Sequence, residues 1–220
     1  MAEEIKVAAE MEEQKEAAAT ATERDEDYVI KLKKPYMFEG KEYAEIDLSG
    51  IKKMTIGDGI AAQKALFNGE EIAAVVLAEA STSFARMIAA KATELPLEFF
   101  ELARLDVSRA VKATVMGLLS TEKNTENHVM SFEEPYSYKG KAYTEVDLKK
   151  IGELTSLNES QAENRMAEEG FAAANSSQNF VYVCVIASMA TGLPEEFFTG
   201  LPLREIMKLK AAVNDSIFFE

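Results

Sequence analysis

Val29–Leu48 reads VIKLKKPYMFEGKEYAEIDL, and 100 positions later Val129–Leu148 reads VMSFEEPYSYKGKAYTEVDL. Nine positions agree: Val29/Val129, Pro35/Pro135, Tyr36/Tyr136, Gly40/Gly140, Lys41/Lys141, Tyr43/Tyr143, Glu45/Glu145, Asp47/Asp147 and Leu48/Leu148. A second echo follows at a spacing of 98, with TELPLEFF at Thr93–Phe100 and TGLPEEFF at Thr191–Phe198. Two anchors in the same order indicate a tandem duplication of one folding element of roughly 90–100 residues.

Each copy opens with strand-like alternation. Tyr28, Ile30 and Leu32 fall on one side, and His128, Met130 and Phe132 take their places in the second copy. Gly40 and Gly140 lie between two alternating runs, where a residue tolerant of positive φ signals a hairpin. Pro35 and Pro135 cannot donate to a ladder, so they belong at an edge or a bulge. Helical patterns follow. Thr55 with Asp58, and Ser156 with Glu159, have capping-box spacing. Ile72, Val75, Val76, Ala80, Phe84 and Met87 recur at helical intervals in an Ala-rich stretch from about Glu70 to Thr93. Phe171–Thr191 is the diverged partner of that stretch, with the polar run Asn175–Asn179 positioned to break it in two. Pro96 and Pro194 restart a short helix. A last helix is expected over about Asp106–Leu119 and Leu203–Ile217. The fold class is therefore α+β, mainly helical, as two similar units. Each is a β-hairpin followed by three or four helices.

The expected organisation is an acidic flexible arm at 1–27, one unit at 28–119, a polar linker at 120–127 (STEKNTEN from Ser120) and a second unit at 128–220. The arm holds ten acids against three bases, out of a chain net charge of −14. Such a chain is repelled by phosphate backbones and anionic lipid, which argues against nucleic-acid and membrane partners. Its first residues are acidic, unlike an export signal. Its longest apolar run, about Phe180–Ala187, is too short to span a bilayer. Cys184 is the only cysteine, so no disulfide within the chain and no cysteine-based zinc site is expected. A reducing, cytoplasmic setting fits these features.

Few residues can carry chemistry. His128, the only histidine, stands where the first copy has Tyr28, and reads as a structural or surface residue rather than a catalytic base. Cys184 sits in the apolar run and reads as a small buried hydrophobe. Thr55–Gly59 (TIGDG) matches neither a Walker loop nor a dinucleotide fingerprint and reads as a helix entry. Glu45, Asp47, Glu145 and Asp147 alternate with apolar residues and read as a wet strand face. No catalytic, cofactor or metal residues are assigned. The aromatics Phe99, Phe100, Phe197 and Phe198 have two readings, core packing or a partner groove.

The two junctions read Ala92-Thr93-Glu94-Leu95-Pro96-Leu97-Glu98 and Ala190-Thr191-Gly192-Leu193-Pro194-Glu195-Glu196. Together with the Pro and Gly-Lys hairpin signature, they make the unit resemble the tail assembly chaperones of long-tailed bacteriophages, over about 28–119 and again 128–219. The resemblance differs from a single-unit family member by the duplication, and by Glu94 where the second copy has Gly192. It implies a non-enzymatic protein that binds the helical tape measure protein and helps recruit tail tube subunits. Ile72, Val75, Val76, Ala80, Phe84 and Met87 are the expected partner-binding residues. The competing expectation is a duplicated structural or adaptor protein retained in a virion or a bacterial complex.

Overall fold

The computed structural model describes residues 26–68, 78–120, 125–126 and 128–214. The fold is α+β and mainly helical. Strands β1 (Val29–Phe38) and β2 (Lys41–Asp47) form an antiparallel hairpin. Helices α1 (Ile56–Asn68), α2 (Thr82–Thr93), α3 (Leu97–Glu101) and α4 (Leu105–Leu119) follow. After the short β3 (Thr125–Glu126) come β4 (Val129–Tyr138) and β5 (Lys141–Asp147). Four more α-helices follow among the described residues: α5 (Ser156–Glu168), α6 (Phe180–Thr191), α7 (Glu195–Thr199) and α8 (Ile206–Val213). Residues 1–25 of the expected arm lie outside the described residues. Of the expected linker, Thr125 and Glu126 pair with β4 as a third strand.

The two hairpins obey one set of local rules. Phe38 pairs with Lys41, and Tyr138 with Lys141, leaving two-residue loops. Both residues of each loop have positive φ, at Glu39 and Gly40 and at Lys139 and Gly140. That geometry matches the right-handed twist of the flanking strands. The register slips between Lys31 and Tyr36, and again between Ser131 and Tyr136, so Pro35 and Pro135 lie in bulges. Asp47 and Asp147 belong to the strand face but also turn the chain. Each carboxylate accepts from a backbone N–H two residues on, Ser49 at 2.8 Å and Lys149 at 3.0 Å.

The Leu-Pro-x-Glu-Phe-Phe elements are core pins. Phe99 and Phe197 are fully buried. The Tyr43 and Tyr143 rings meet them edge-on at the same 4.8 Å and 69°. Tyr36 donates its phenolic hydrogen to the Phe99 carbonyl at 3.0 Å. Pro96 and Pro194 are the N-caps of the short helices rather than their first helical residues.

Several boundaries differ from those expected. The helix expected from Glu70 does not run unbroken to Thr93. Residues 69–77 lie outside the described residues, 78–80 form a 3-10 turn, and Ser81 caps α2 by accepting from the Phe84 N–H. A single hydroxyl satisfying a first-turn donor is enough to begin a new helix there. In the second stretch 173–178 are 3-10, and the Asn179 side chain accepts from Val181 and Tyr182 to start α6. The polar run therefore breaks the helix as expected. Thr55 and Asp58 make their capping box, with hydrogen bonds of 2.7 and 3.3 Å. The second box is one residue earlier than expected. Thr155 donates to Asn158 at 2.9 Å, in place of Ser156 with Glu159, because Thr155 keeps the position of Thr55. The last helix of the second stretch begins as a 3-10 turn at 203–205, and 215–220 lie outside the described residues.

The buried apolar residues of both stretches form one continuous cluster. Helix α1 crosses from the first stretch to the second. Its entry pairs with the 201–203 segment: the Ile56 N–H donates to the Leu201 carbonyl at 2.8 Å, and the Leu203 N–H donates to the Met54 carbonyl at 2.8 Å. Gly59 makes the close approach possible. A Cβ there would stand 2.7 Å from Leu203 Cδ1 and 3.0 Å from the Phe180 ring. Buried Gln63 donates to the Gln178 carbonyl and accepts from the Phe180 N–H, tying α1 to the start of α6. Phe84 meets Phe180 edge-on, and Lys210 pairs with Glu79.

Candidate functional site

Helices α1 and α2 lie side by side, and their i, i+3 and i+4 rows leave a groove between them. It has a volume of about 300 Å³ and is lined chiefly by Met54, Ala61, Ala62, Met87, Ile88 and Leu97. Ile88 and Ala62 are buried and form its floor, whereas Ala61 is exposed on the rim and Met87 is half-buried. Methionine is unbranched and polarizable, so such a wall adapts to differing apolar shapes.

One polar pair borders the groove. Lys91 Nζ lies 2.6 Å from an Asp58 oxygen. Burial pushes the Asp58 carboxyl up, but hydrogen bonds from Lys91 and Thr55 together outweigh it and hold it below the usual carboxylate range. Asp58 stays ionised and completes both the α1 cap and the ion pair. Beyond it lies a second depression of about 330 Å³, lined by Gly50, Lys53, Thr93 and Glu94 among others.

The expected partner-binding residues divide three ways. Ile72, Val75 and Val76 lie outside the described residues. Phe84 is fully buried against Phe180, so in this conformation its ring belongs to the core. Ala80 is half-buried near Ser81, and Met87 is the one of the three described residues that lines the groove. Met54, Ala61 and Leu97 carry no site signal in the sequence, because each belongs to a different element and only packing unites them.

No family model, curated protein or solved structure matches this chain.

The residues weighed for chemistry have structural surroundings. Cys184 is buried in α6, and burial pushes its thiol far up, which suppresses the nucleophilic thiolate. Burial likewise raises the neighbouring Tyr182 phenol to about 12, with Glu159 adding to the shift. His128 has positive φ, and its carbonyl accepts from the Leu148 N–H at 2.9 Å, closing the hairpin base. Among the described residues no group of three His, Cys, Asp or Glu side chains could hold a metal ion. No described helix is long and apolar enough to cross a membrane.

Among the described residues, the most buried charges form a network away from the groove. Lys208 Nζ lies 3.1 Å from Glu205 and 3.5 Å from Glu133, and Arg204 also reaches both acids. Burial raises the Glu205 carboxyl, against the pull of Lys208 and Arg204. The network joins α8 to the β4 bulge.

Proposed function

We propose that this protein is a phage tail assembly chaperone that holds an apolar helical segment of the tape measure protein, helps recruit tail tube subunits, and performs no catalytic step. The observation that carries the reading is the methionine-walled groove between α1 and α2. An amphipathic helix laid into such a groove buries its apolar stripe by the helix-in-groove mode. The twice-repeated hairpin and Leu-Pro signature supports the family assignment. The net charge of −14 supports the role, because a strongly charged exterior keeps a complex with an aggregation-prone partner in solution.

Apolar burial drives this binding, so it is only modestly sensitive to salt. The contact set centres on Met54, Ala61, Met87 and Leu97, with the Asp58–Lys91 pair at its edge. Co-expression with the tape measure protein tests the proposal. A soluble complex on a sizing column is expected, together with absence of the chain from purified particles. A partner that stays insoluble, with no complex recovered, overturns it. Recovery of the chain from mature particles favours the structural or adaptor role instead.

A further inference from the structure

Among the described residues, the exposed large apolar side chains are Met37, Leu102, Leu105 and Leu157, at 57%, 72%, 63% and 66% exposure. Three of them fall at two places that the duplication relates to the contact inside the chain. That contact joins the α1 entry, Met54–Thr55–Ile56, to Leu201–Pro202–Leu203, through an antiparallel bridge between Thr55 and Pro202. Its apolar members Met54, Ile56, Leu201 and Leu203 are all buried. Shifting the first segment forward by 100 positions gives Leu154–Thr155–Ser156, followed by Leu157. Shifting the second back by 98 gives Ala103–Arg104–Leu105, preceded by Leu102. The first copy's entry is covered by the second copy's corner. Among the described residues, no bridge of this kind covers the second copy's entry or the first copy's corner.

We infer that a second copy of this chain docks at these open edges, the Leu154–Leu157 entry of one molecule against the Leu102–Leu105 corner of the next. The backbone is already set for it. Arg104 has φ −54° and ψ 151°, close to the −51° and 138° of the paired Pro202. Leu154 has φ −69° and ψ 150°, close to the −78° and 146° of the paired Met54. Leu105 and Ser156 are the first residues of α4 and α5, so their N–H groups have no partner inside their own helices. They stand where the donors of Leu203 and Ile56 stand. Side-chain sizes are also reciprocal. Gly59, which admits Leu203 and Phe180, is replaced by Glu159, while Phe180 is replaced by the smaller Thr82 at the start of α2. A carboxylate is favoured beside that helix N-terminus.

The contact is head-to-tail, so its repetition makes either a closed ring or an open array. The inference does not depend on the chaperone reading. Sedimentation velocity of the full chain over a dilution series, up to about 1 mM to reach the weak-binding limit, tests it. The chain associates as concentration rises, and both Leu105→Asp and Leu157→Asp abolish association. Both positions are exposed, so the variants keep the parent's melting temperature. Cysteines supply the second arm. Residues facing each other across an antiparallel bridge are close enough for a disulfide. Arg104→Cys mixed with Thr155→Cys therefore gives a disulfide-linked heterodimer on mild oxidation, while neither alone gives a dimer. The native Cys184 is buried and does not compete. A chain that stays monomeric at every concentration overturns the inference, as does association that survives both aspartates. Loss of tape measure binding in Leu105→Asp, with the parent monomeric throughout, also overturns it and gives the corner to a different partner.

Discussion

Removing the Phe99 ring attacks the first hairpin and the shared core together. Phe99 is fully buried and meets Tyr36 at 4.9 Å, Phe38 at 5.2 Å, Tyr43 at 4.8 Å and Phe100 at 4.9 Å, all edge-on. Truncating a buried Phe to Ala costs about 3–5 kcal/mol, for lost transfer free energy and the cavity left behind. Each edge-on aromatic pair adds about 0.5–1.5 kcal/mol beyond area burial. Four such pairs place Phe99→Ala at the upper end, about 5 kcal/mol. Whole-domain stabilities run about 5–15 kcal/mol, so the variant is expected to be partly unfolded without denaturant. Urea unfolding followed by far-ultraviolet circular dichroism and by tyrosine fluorescence measures it; the chain has no tryptophan. Because both stretches share one core, the two probes should shift together in a single transition, and Phe197→Ala should shift the same transition. Two transitions, only one of them displaced, would refute the shared core. A midpoint equal to the parent's would refute the role of the ring as a pin.

Glu94→Gly should stabilise the protein by about 1 kcal/mol, because Glu94 ends α2 in the left-handed region at φ 57°, where Gly192 ends α6 without a Cβ penalty; an unchanged urea midpoint would count against this. Asp58→Asn keeps a capping oxygen but loses the Lys91 pair. Because Asp58 is depressed in the fold, its contribution is present above the unfolded-state pKa and is lost as pH falls through the folded one. The parent's advantage over the variant should therefore vanish on acidification, and a pH-independent difference would contradict the assignment. Lys208→Met leaves the buried Glu205 without its nearest cation and should cost about 3 kcal/mol near neutral pH. That loss should shrink on acidification as Glu205 takes up a proton, and a loss that grows instead would contradict it.

What could be read from the chain is what is encoded locally. Gly40 and Gly140 mark the turns, Pro35 and Pro135 the bulges, and the Leu-Pro-x-Glu-Phe-Phe blocks the pins, because each signal acts within a few residues of itself. Ser81 gives little sign of a helix start in the sequence, since one hydroxyl in an Ala-rich stretch barely disturbs the helical period. Phe84 and Met87 are three apart and share an apolar stripe, yet Phe180, almost a hundred residues away, covers only the first. Periodicity locates such a stripe without naming its neighbour. The same limit hid the groove, whose wall draws on residues from 54 to 97. It also hid the crossing of α1, which depends on the missing side chain of Gly59 and on the two hydrogen bonds of Gln63 to residues more than a hundred positions on.

The groove is tested most directly by one substitution on its rim. Ala61 is exposed on α1 and lines the groove, so Ala61→Glu places a carboxylate among its apolar walls while keeping a good helix former. Recovery of the tape measure protein in complex with this variant, measured on a sizing column after co-expression, is the decisive quantity. A loss of at least about tenfold relative to the parent is expected, equivalent to about 1.4 kcal/mol, with an unchanged melting temperature. Equal recovery of the complex with parent and variant would contradict the claim that the partner is held between α1 and α2.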